Sequence, residues 1–534
     1  MASTFHGLET AKRGMYTQQS ALYTTGHNIA NANTPGFSRQ RVNFVQTEPY
    51  PAAAMNRPQI PGQMGTGVEA GSVQRVRESF LDVQYQGENN KMGYWQSRAE
   101  ALNKMEDIMN EPSDSGLAKV MGQFWQSLQD LSVNPENEGA RTVVLQRGQA
   151  VADTFHYMHD SISAIRDDIG NEISVTVKEV NSLLEQISKL NKQIGEIEPH
   201  GYLPNDLYDE RDRLVDQLSQ HINIKVDKVP SGGNALKIAE GQYVISMFHA
   251  DGITPTEIVN SANFNKVGLQ SDPVAADSEG DGVVDKPNDP ITHFTVNGEE
   301  ITVNNFSQGR LRGLAESYGY KDNANNTKGI YPQMLDDLDK MAYSFGSIFN
   351  EVHSLGYGME QDQPQSKPFF DGIADSKANY KDAAKTIQLG SLTSEEVAAS
   401  VIGMNDGNGT NAINLANIQG FILTNSTQKL EGIAGSIDLT QLSAINNGTI
   451  KSFYEGIIGR LGVDAQQATR LGKNSEVLRQ SVETNRQSIS SVSLDEEMTN
   501  MIKFQHAYNA AARNITVVDE MLDKIINGMG TGGR

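Results

Sequence analysis

The sequence predicts an α+β protein that is predominantly α: an elongated, multi-domain chain with long coiled-coil-like helices, N- and C-terminal segments that come together, and a small β-rich outer domain. Three observations predict this class. Apolar residues recur every seven positions near both ends of the chain, which is typical of coiled coils. Residues 136–198 contain no proline and carry further heptads, which predicts one long helix. Alternating apolar and polar residues, typical of strands, are concentrated between residues 222 and 303.

The heptads at the two ends form a candidate assembly interface. Two apolar rows line one side of the predicted C-terminal helix, at Leu494, Met501, Phe504, Tyr508, Ala511, Ile515, Val518, Leu522 and Ile525. Near the N-terminus the residues spaced seven apart are Leu8, Met15, Leu22 and Ile29. Burying these modest side chains contributes less free energy than the ordering of about 30 residues costs. We therefore expect terminal helices that become fixed only among neighbouring chains; two helices packed inside one ordinary domain are the alternative.

The helix predicted over residues 3–32 stops at a turn. Pro35 and Gly36 fit positions i+1 and i+2 of a type II turn. An asparagine-rich group surrounds it, at Asn28, Asn31, Asn33, Pro35, Gly36 and Phe37. We interpret this group as fixing the angle at which the terminal helix leaves the rest of the chain, and simple helix capping remains an alternative. At the other end, Ser493 and Glu496 form a capping box that begins the last helix.

The middle of the chain alternates between extended and helical patterns. Extended segments are predicted at 39–45 and 67–77, and helices are predicted through 88–221, then at 330–354, 414–431 and 449–488. We predict four regions. Terminal helical coiled-coil segments (axial core) comprise residues 1–55 and 494–534, and a long-helix rod domain comprises 56–225, 307–360 and 411–493. A β-rich outer domain covers 226–306, and an irregular insertion packed on the rod domain covers 361–410.

Composition argues against several classes of protein. The 534 residues include 44 Lys and Arg against 66 Asp and Glu, a net charge of -22, which disfavours nucleic acid as a partner. There is no cysteine, so disulfides and thiolate sites are excluded. We find neither an apolar run of about 20 residues for membrane insertion nor the apolar core of a signal peptide.

Sites for catalysis or cofactors have little support in the sequence. Residues 65–70 follow the loose pattern G-x-G-x-x-A, but they are not placed between a strand and a helix. His156 and His159 are three apart on a predicted helix without a further ligand, and we interpret them as surface histidines. No nucleophile motif or phosphate loop occurs. We therefore predict no enzyme, no cofactor and no metal site.

One acidic stretch imitates a calcium loop. Asp277, Glu279, Asp281 and Gly282 occupy the first positions of that pattern, but Asn288 stands where a bidentate glutamate is needed. An acidic, solvated hairpin tip is the favoured interpretation.

Three stretches resemble the bacterial flagellar axial protein family of rod, hook and hook-associated proteins. TGHNIANANTPGFSRQRV, residues 25–42, is similar to the N-terminal signature of that family, and SLDEEMTNMIKFQHAYNAAARNITVVDEMLDKII, residues 493–526, is similar to its C-terminal signature. NDLYDERDRLVDQL, residues 205–218, resembles the hook-associated members at the junction between hook and filament.

The resemblance implies a structural adaptor at the hook-filament junction. Such proteins are exported through the flagellar type III pathway, assemble at the hook tip and are found outside the cell in the flagellum. The implied partners are flagellar hook protein, hook-associated protein 3, further copies of the chain in an axial ring, and a cytosolic export chaperone on the C-terminal helix. Alternatives are another axial protein, of hook or filament type, or an enzyme domain carried on a flagellar scaffold.

Overall fold

The computed structural model describes residues 5–51, 54–55, 62–109, 116–261, 263–271, 290–423, 426–446 and 448–528. The chain divides into two compact units. The first unit consists of Met1–Asn90, Val180–Lys266 and Ser475–Arg534, and the second consists of Lys91–Glu179 and Val267–Asn474. The acidic stretch around Asp277 lies outside the described residues, so its interpretation stays a prediction.

Helices dominate the described part of the chain, which confirms the predicted fold class. They are α1 (His6–Ala30), α2 (Ser79–Met109), α3 (Leu117–Val133), α4 (Glu138–Ile197), α5 (Asn205–His221), α6 (Arg310–Tyr318), α7 (Ile330–Ser354), α8 (Ala383–Thr386), α9 (Thr410–Asn417), α10 (Leu439–Leu442), α11 (Ile450–Ser490) and α12 (Leu494–Asp523). A π-helical turn, Lys524–Gly528, follows α12. None of the described helices has a segment apolar and long enough to cross a membrane.

Local signals explain where the long helix begins and ends. The Asn137 side chain accepts a hydrogen bond from the backbone N–H of Ala140 at 3.1 Å, which satisfies a free donor at the start of α4. Beyond Ile197 a short 3-10 turn contains Pro199, and Gly201 adopts a φ of 84°, a conformation that glycine tolerates best. The long helix predicted within residues 136–198 is confirmed, with 60 residues in α4.

The strands form five small sheets in the described residues. They are β1 (Gln40–Gln46), β2 (Val68–Arg75), β3 (Ile224–Val229), β4 (Gln242–Phe248), β5 (Pro255–Asn260), β6 (Asn263–Phe264), β7 (Val267–Ser271), β8 (Ile291–Val296), β9 (Glu299–Thr302), β10 (Tyr320–Lys321), β11 (Thr327–Lys328), β12 (Phe370–Asp371), β13 (Gln388–Leu389), β14 (Thr427–Lys429) and β15 (Ser436–Asp438). The pairs β1–β2, β12–β13 and β14–β15 are antiparallel.

The strands between residues 224 and 302 belong to two sheets. The first unit holds the order β3-β4-β5-β6, and the second unit holds β11-β10-β8-β7 with β9 paired to β8. Asn297 and Gly298 join β8 to β9 with φ values of 53° and 77°, as a type I′ turn requires. A separate outer domain over 226–306 stays a prediction, like the other predicted domain bounds.

An aromatic core fills the second unit. The rings of Phe349 and Phe369 have centroids 4.7 Å apart, and those of Phe345 and Phe370 are 5.0 Å apart. His353 lies fully buried beside them, and burial lowers its pKa to about 4. The neutral ring accepts a hydrogen bond at Nε2 from the Ala398 N–H at 3.1 Å. This helix, α7, begins and ends at the predicted residues.

Two predictions about the second unit are wrong. The helix predicted over 414–431 ends at Asn417, because the Asn414 side chain pairs with both backbone groups of Glu431 and holds a loop closed. His159 is buried, with 8% of its surface exposed, so it is no surface histidine. No group of three or more metal-ligating side chains converges in the described ranges.

Candidate assembly interface

The two terminal helices lie antiparallel in the first unit. A β-carbon added to Gly7 would lie 3.6 Å from Val518 Cγ2, and one added to Gly14 would lie 4.0 Å from Ala511 Cβ. Near the other end of α1, the side chain of Asn28 reaches Glu497. Small residues seven apart on α1 therefore face α12 and allow the two backbones to approach closely.

Two of the predicted seam residues, Ala511 and Val518, lie in this contact, and all members of the seam are incompletely covered. Half-buried members are Leu8, Met15, Leu22, Ile29, Met501, Phe504, Tyr508, Ala511, Ile515, Val518 and Leu522. Leu494 and Ile525 are 47% and 45% exposed. The ring of Phe504 also contacts Phe44 of β1, with centroids 6.0 Å apart. Whether these residues bind other chains stays a prediction.

A second row on α12, which we call the outer stripe, was missed by the heptad analysis. All its members are exposed: Met498, Ile502, His506, Asn509, Arg513, Val517 and Met521. They are spaced by three or four residues, so they share one helix face. The row is apolar at both ends and polar in the middle, where Arg513 is a permanent cation. The spacing was present in the sequence, but a seven-residue repeat selects only one side of a helix.

The asparagine-rich turn holds α1 to the strand that follows. The type II turn is confirmed: Phe37 N–H donates to Thr34 O at 3.2 Å, and Gly36 has a φ of 83°. Asn28 is buried and pairs with both backbone groups of Gln40, at 2.8 and 3.0 Å. Asn31 caps α1 by donating to His27 O at 3.1 Å.

The other members of the predicted asparagine-rich turn differ in role. Asn33 and Pro35 are exposed, whereas the half-buried Phe37 stacks edge-on against His27, with ring centroids 5.4 Å apart. Asn28 therefore carries most of the connection between α1 and β1. The effect of the turn on the assembly stays a prediction.

Glu497 locks the start of α12 to two other elements. It is the one buried residue of the described α12, and its carboxylate accepts from Asn28 Nδ2 at 3.1 Å and from Arg39 Nε at 2.7 Å. The predicted capping box is wrong in its chemistry. Ser493 is the N-cap residue but makes no side-chain capping hydrogen bond, and Glu496 instead pairs with Arg39 at 2.9 Å.

A buried ionic cluster lies around α5 in the same unit. Arg75, at the end of β2, is 3% exposed and donates to Asp209 at 2.7 Å and to Asp212 at 2.9 Å, and it also pairs with Glu240. Arg77 lies 3.3 Å from Asp212. Such charges are tolerated inside a protein only when they are paired and hydrogen-bonded.

Burial and charge act in opposite directions on the pKa values of this cluster. Burial alone would raise the pKa of Asp212, but Arg77, Arg75 and Arg211 hold it well below its ordinary value. For Asp216 burial prevails over the attraction of Arg486 and Arg77, and its pKa is raised to about 6. Asp216 therefore titrates well above the ordinary range of an aspartate, and burial also raises the pKa of Asp209.

Helix α11 ends on the same cluster. Arg486 donates to Asp216 at 2.5 Å, and its guanidinium lies 4.2 Å from the centre of the Tyr85 ring. Four residues later, Ser490 O accepts from the N–H of Arg39 at 2.8 Å. The sequence analysis missed this cluster. Its signal was the 3- and 4-residue spacing of Asp209, Asp212 and Asp216, which resembles an ordinary solvated helix face.

Family models match three parts of the chain. The model described as flagellar hook-associated protein FlgK helical domain matches residues 102–370. A second model, described as flagella basal body rod protein, matches residues 8–37. A third, described as flagellar basal body rod FlgEFG protein C-terminal, matches residues 484–528. The last two matches coincide with α1 and its turn and with α12.

Whole-chain comparisons point in the same direction. Flagellar hook-associated protein 1 of Bacillus subtilis (strain 168) is 42% identical over 539 residues, covering 100% of both chains. The protein of the same name from Salmonella typhimurium is 27% identical over 71% of this chain and 62% of its own length. The structure of the flagellar hook junction protein FlgK from Burkholderia pseudomallei matches with a TM-score of 0.55 at 13% identity, covering 78% of this chain and 100% of that one, so the folds are similar.

Proposed function

Because the chain belongs to the family of flagellar hook-associated protein 1, we propose that α1 and α12 form its contacts with neighbouring subunits. The chain is a structural component of the bacterial flagellum with a role at the hook-filament junction. The alternative of a hook or filament-type subunit has less support, because the match to hook-associated protein 1 spans the whole chain.

The burial of α12 carries this proposal. Of its 30 residues only Glu497 is buried, while Met498, Ile502, Val517 and Met521 each expose more than half of their surface. Contiguous apolar surface on a protein is typical of a site that binds another protein. A helix with this much exposed apolar surface is suited to a position between subunits.

Charged substitutions in the seam test the proposal. Met501, Ile515 and Leu522 are replaced together by Asp, which places three charges on the half-buried side of α12. We expect normal folding of the second unit, seen in tryptophan fluorescence because Trp95 and Trp125 both lie there, and loss of incorporation at the hook tip, seen by antibody labelling of flagella.

A matched control adds the same three charges at Ser481, Thr484 and Ser488, which are exposed on α11. When both chains are expressed at the same level, this control is expected to be incorporated as well as the wild-type chain. Normal incorporation of the seam variant would contradict the proposal.

The individual partners are further proposals. We propose hook protein on one side, hook-associated protein 3 on the other, further copies of the chain around the axis, and a cytosolic chaperone that holds α12 before export. The exposed outer stripe supports a contact with a chaperone. Purified full-length chain is tested for binding to each protein. The seam variant is the comparison for the axial partners, and Ile502→Asp in the outer stripe is the comparison for the chaperone. Binding as strong as that of the wild-type chain would contradict the contact assigned to the changed row.

Export and location outside the cell are also proposals. They rest on the terminal segments, whose matches to rod-protein models place them in a shared class of flagellar subunits. A chain lacking residues 5–30 is expected to remain in the cell when the intact chain is found in flagella. We also propose that the chain has no catalytic role, which bound metal or turnover in purified protein would contradict.

A further inference from the structure

An open groove lies beside α1 in the first unit. It has a volume of about 590 Å³ and is lined mainly by apolar side chains of α1, β2 and the corner between α4 and α5, among them Tyr23, Val73, Leu203, Pro204 and Leu207. Tyr23 is 70% exposed at its rim. The groove therefore offers apolar surface that the described first unit leaves open to solvent.

The groove is acidic where it meets a second cleft. His27 Nε2 lies 3.3 Å from Asp206 Oδ1, and this pair separates the groove from a cleft of about 230 Å³ that reaches the turn at Pro35 and Gly36. Asp206 is 68% exposed, and Glu210, which pairs with Arg213 at the surface, lines the second cleft. A ligand in both clefts would meet apolar side chains first and carboxylates next.

The α12 helix of the same chain cannot fill the groove. It contacts the face of α1 that contains Gly7 and Gly14, and the row continues to Ala21. Tyr23 follows Ala21 by two residues, which is about 200° around a helix. The groove and the contact with α12 are thus on different sides of α1, so the described α12 of the same chain leaves the groove open.

The outer stripe of α12 has the matching chemistry. Between Met498 and Val518 the helix carries Lys503, His506 and Arg513 and no acidic residue, although the whole chain has a net charge of -22. The stripe begins with Met498 and Ile502, which suit an apolar groove, and continues with His506 and Arg513, which suit carboxylates. Opposite charge on two surfaces favours their association and fixes its register.

We infer that the groove binds the outer stripe of α12 from a second copy of this chain. The inference rests on the proposed function, because it names the surfaces through which copies meet. The contact joins two different surfaces, so each bound copy still presents a free groove or a free stripe. Contacts of this kind close into rings or continue as helices.

The lack of cysteine makes the contact directly testable. Full-length chains with Leu203→Cys and with Ile502→Cys are prepared separately, mixed and oxidised with copper phenanthroline. We expect a disulfide dimer several-fold more abundant in the mixture than with either chain alone, with the linked peptides identified by mass spectrometry. Asn514→Cys, exposed on another side of α12, is mixed with Leu203→Cys as the control.

A charge exchange provides a second measurement. Asp206→Lys in the chain that carries Leu203→Cys should lower the dimer yield several-fold, and Arg513→Asp in the partner should restore it. Equal yields with Asn514→Cys would overturn the inference. Predominant dimers of Ile502→Cys with itself would overturn it as well, in favour of pairing between two α12 helices.

The experiment also separates this contact from the proposed function. The Ile502→Cys chain is labelled and followed to the hook-filament junction. Incorporation at the junction without cross-linking to Leu203→Cys would overturn the contact and leave the proposed function standing. Cross-linking by a chain that never reaches the junction would support the contact and contradict the proposed role of α12 in assembly.

Discussion

Helices α5 and α12 belong to the same unit and have opposite relations between sequence and burial. Seven of the 17 residues of α5 are charged. Ten of the 17 are nevertheless buried, including the charged Asp209, Arg211 and Asp212. The 30-residue α12 carries apolar residues along two faces, yet buries only Glu497. The difference teaches that α5 is stabilised by partners within its own chain, whereas much of the apolar surface of α12 remains exposed in the described structure.

The largest effect is expected where the ionic cluster of α5 is broken. Arg75→Met leaves the carboxylates of Asp209, Asp212 and Glu240 with too few cations in a buried site, and we expect the unfolding free energy of the first unit to fall by about 3 to 5 kcal/mol. Urea unfolding followed by circular dichroism, with amide exchange of α5 peptides, measures it.

The control for this change is Arg213→Met. Arg213 pairs with Glu210 on the exposed side of the same helix, at 2.5 Å, and we expect a loss below about 1 kcal/mol. Similar losses for the two variants would show that burial does not distinguish the two sides of α5.

A change of pH is expected to act through Asp216. Its pKa is about 6 in the folded chain against an ordinary value of 3.8, so folding favours its protonated form. The stability that this group contributes is complete below pH 3.8 and is lost as the pH rises through 6. A shift of two units corresponds to about 3 kcal/mol.

Asp216→Asn removes this dependence. The unfolding free energy of the variant, relative to the wild-type chain, is expected to increase by about 2 to 3 kcal/mol between pH 4 and pH 7.5. Urea unfolding at a series of pH values measures the slope. Asp206→Asn, at an exposed site on the same helix, is the control, and an equal slope in both variants would refute the assignment to Asp216.

A smaller effect is expected at the lock between α1 and α12. Asn28→Ala removes a donor from the buried Glu497 carboxylate and both hydrogen bonds to Gln40, and we expect a loss of about 1 to 3 kcal/mol. Faster amide exchange at the start of α12 should accompany it. Asn33→Ala, at an exposed position in the same turn, should leave that exchange unchanged; if it does not, the lock is not specific to Asn28.

The smallest effect on folding is expected in the outer stripe. Ile502→Ser changes a side chain that is 54% exposed, so we expect the unfolding free energy to change by less than about 0.5 kcal/mol. Val518→Ser, which faces Gly7 across the helix pair, is the comparison and should lower stability more. A large loss for Ile502→Ser would show that the stripe serves the fold of its own chain.

Sequence reasoning succeeded where the determining interactions are local. The bounds of α7 and the type II turn at Gly36 both depend on residues within a few positions of one another. The 60-residue α4 was predictable because proline flanks it and is absent from its interior.

Distant partners account for most of what was missed. Asp209 and Asp212 are buried because Arg75 and Arg77 reach them from more than 130 residues away, and no spacing within α5 reveals that. The carboxylate of Glu496 was assigned to a cap, but Arg39 from the far end of the sequence attracts it. The helix predicted over 414–431 ends early because the Asn414 side chain donates a hydrogen bond to the backbone carbonyl of Glu431, 17 residues further on.

The glycines at 7 and 14 have a geometric consequence for any assembly of copies. Since no side chain longer than a methyl group stands between the two backbones at Gly14 and Ala511, rotamer changes cannot alter the separation of the helices there. The separation of the two helices is therefore set by their backbones at this point. If copies of the chain pack through this pair, as we propose, the same backbone separation recurs with each added subunit.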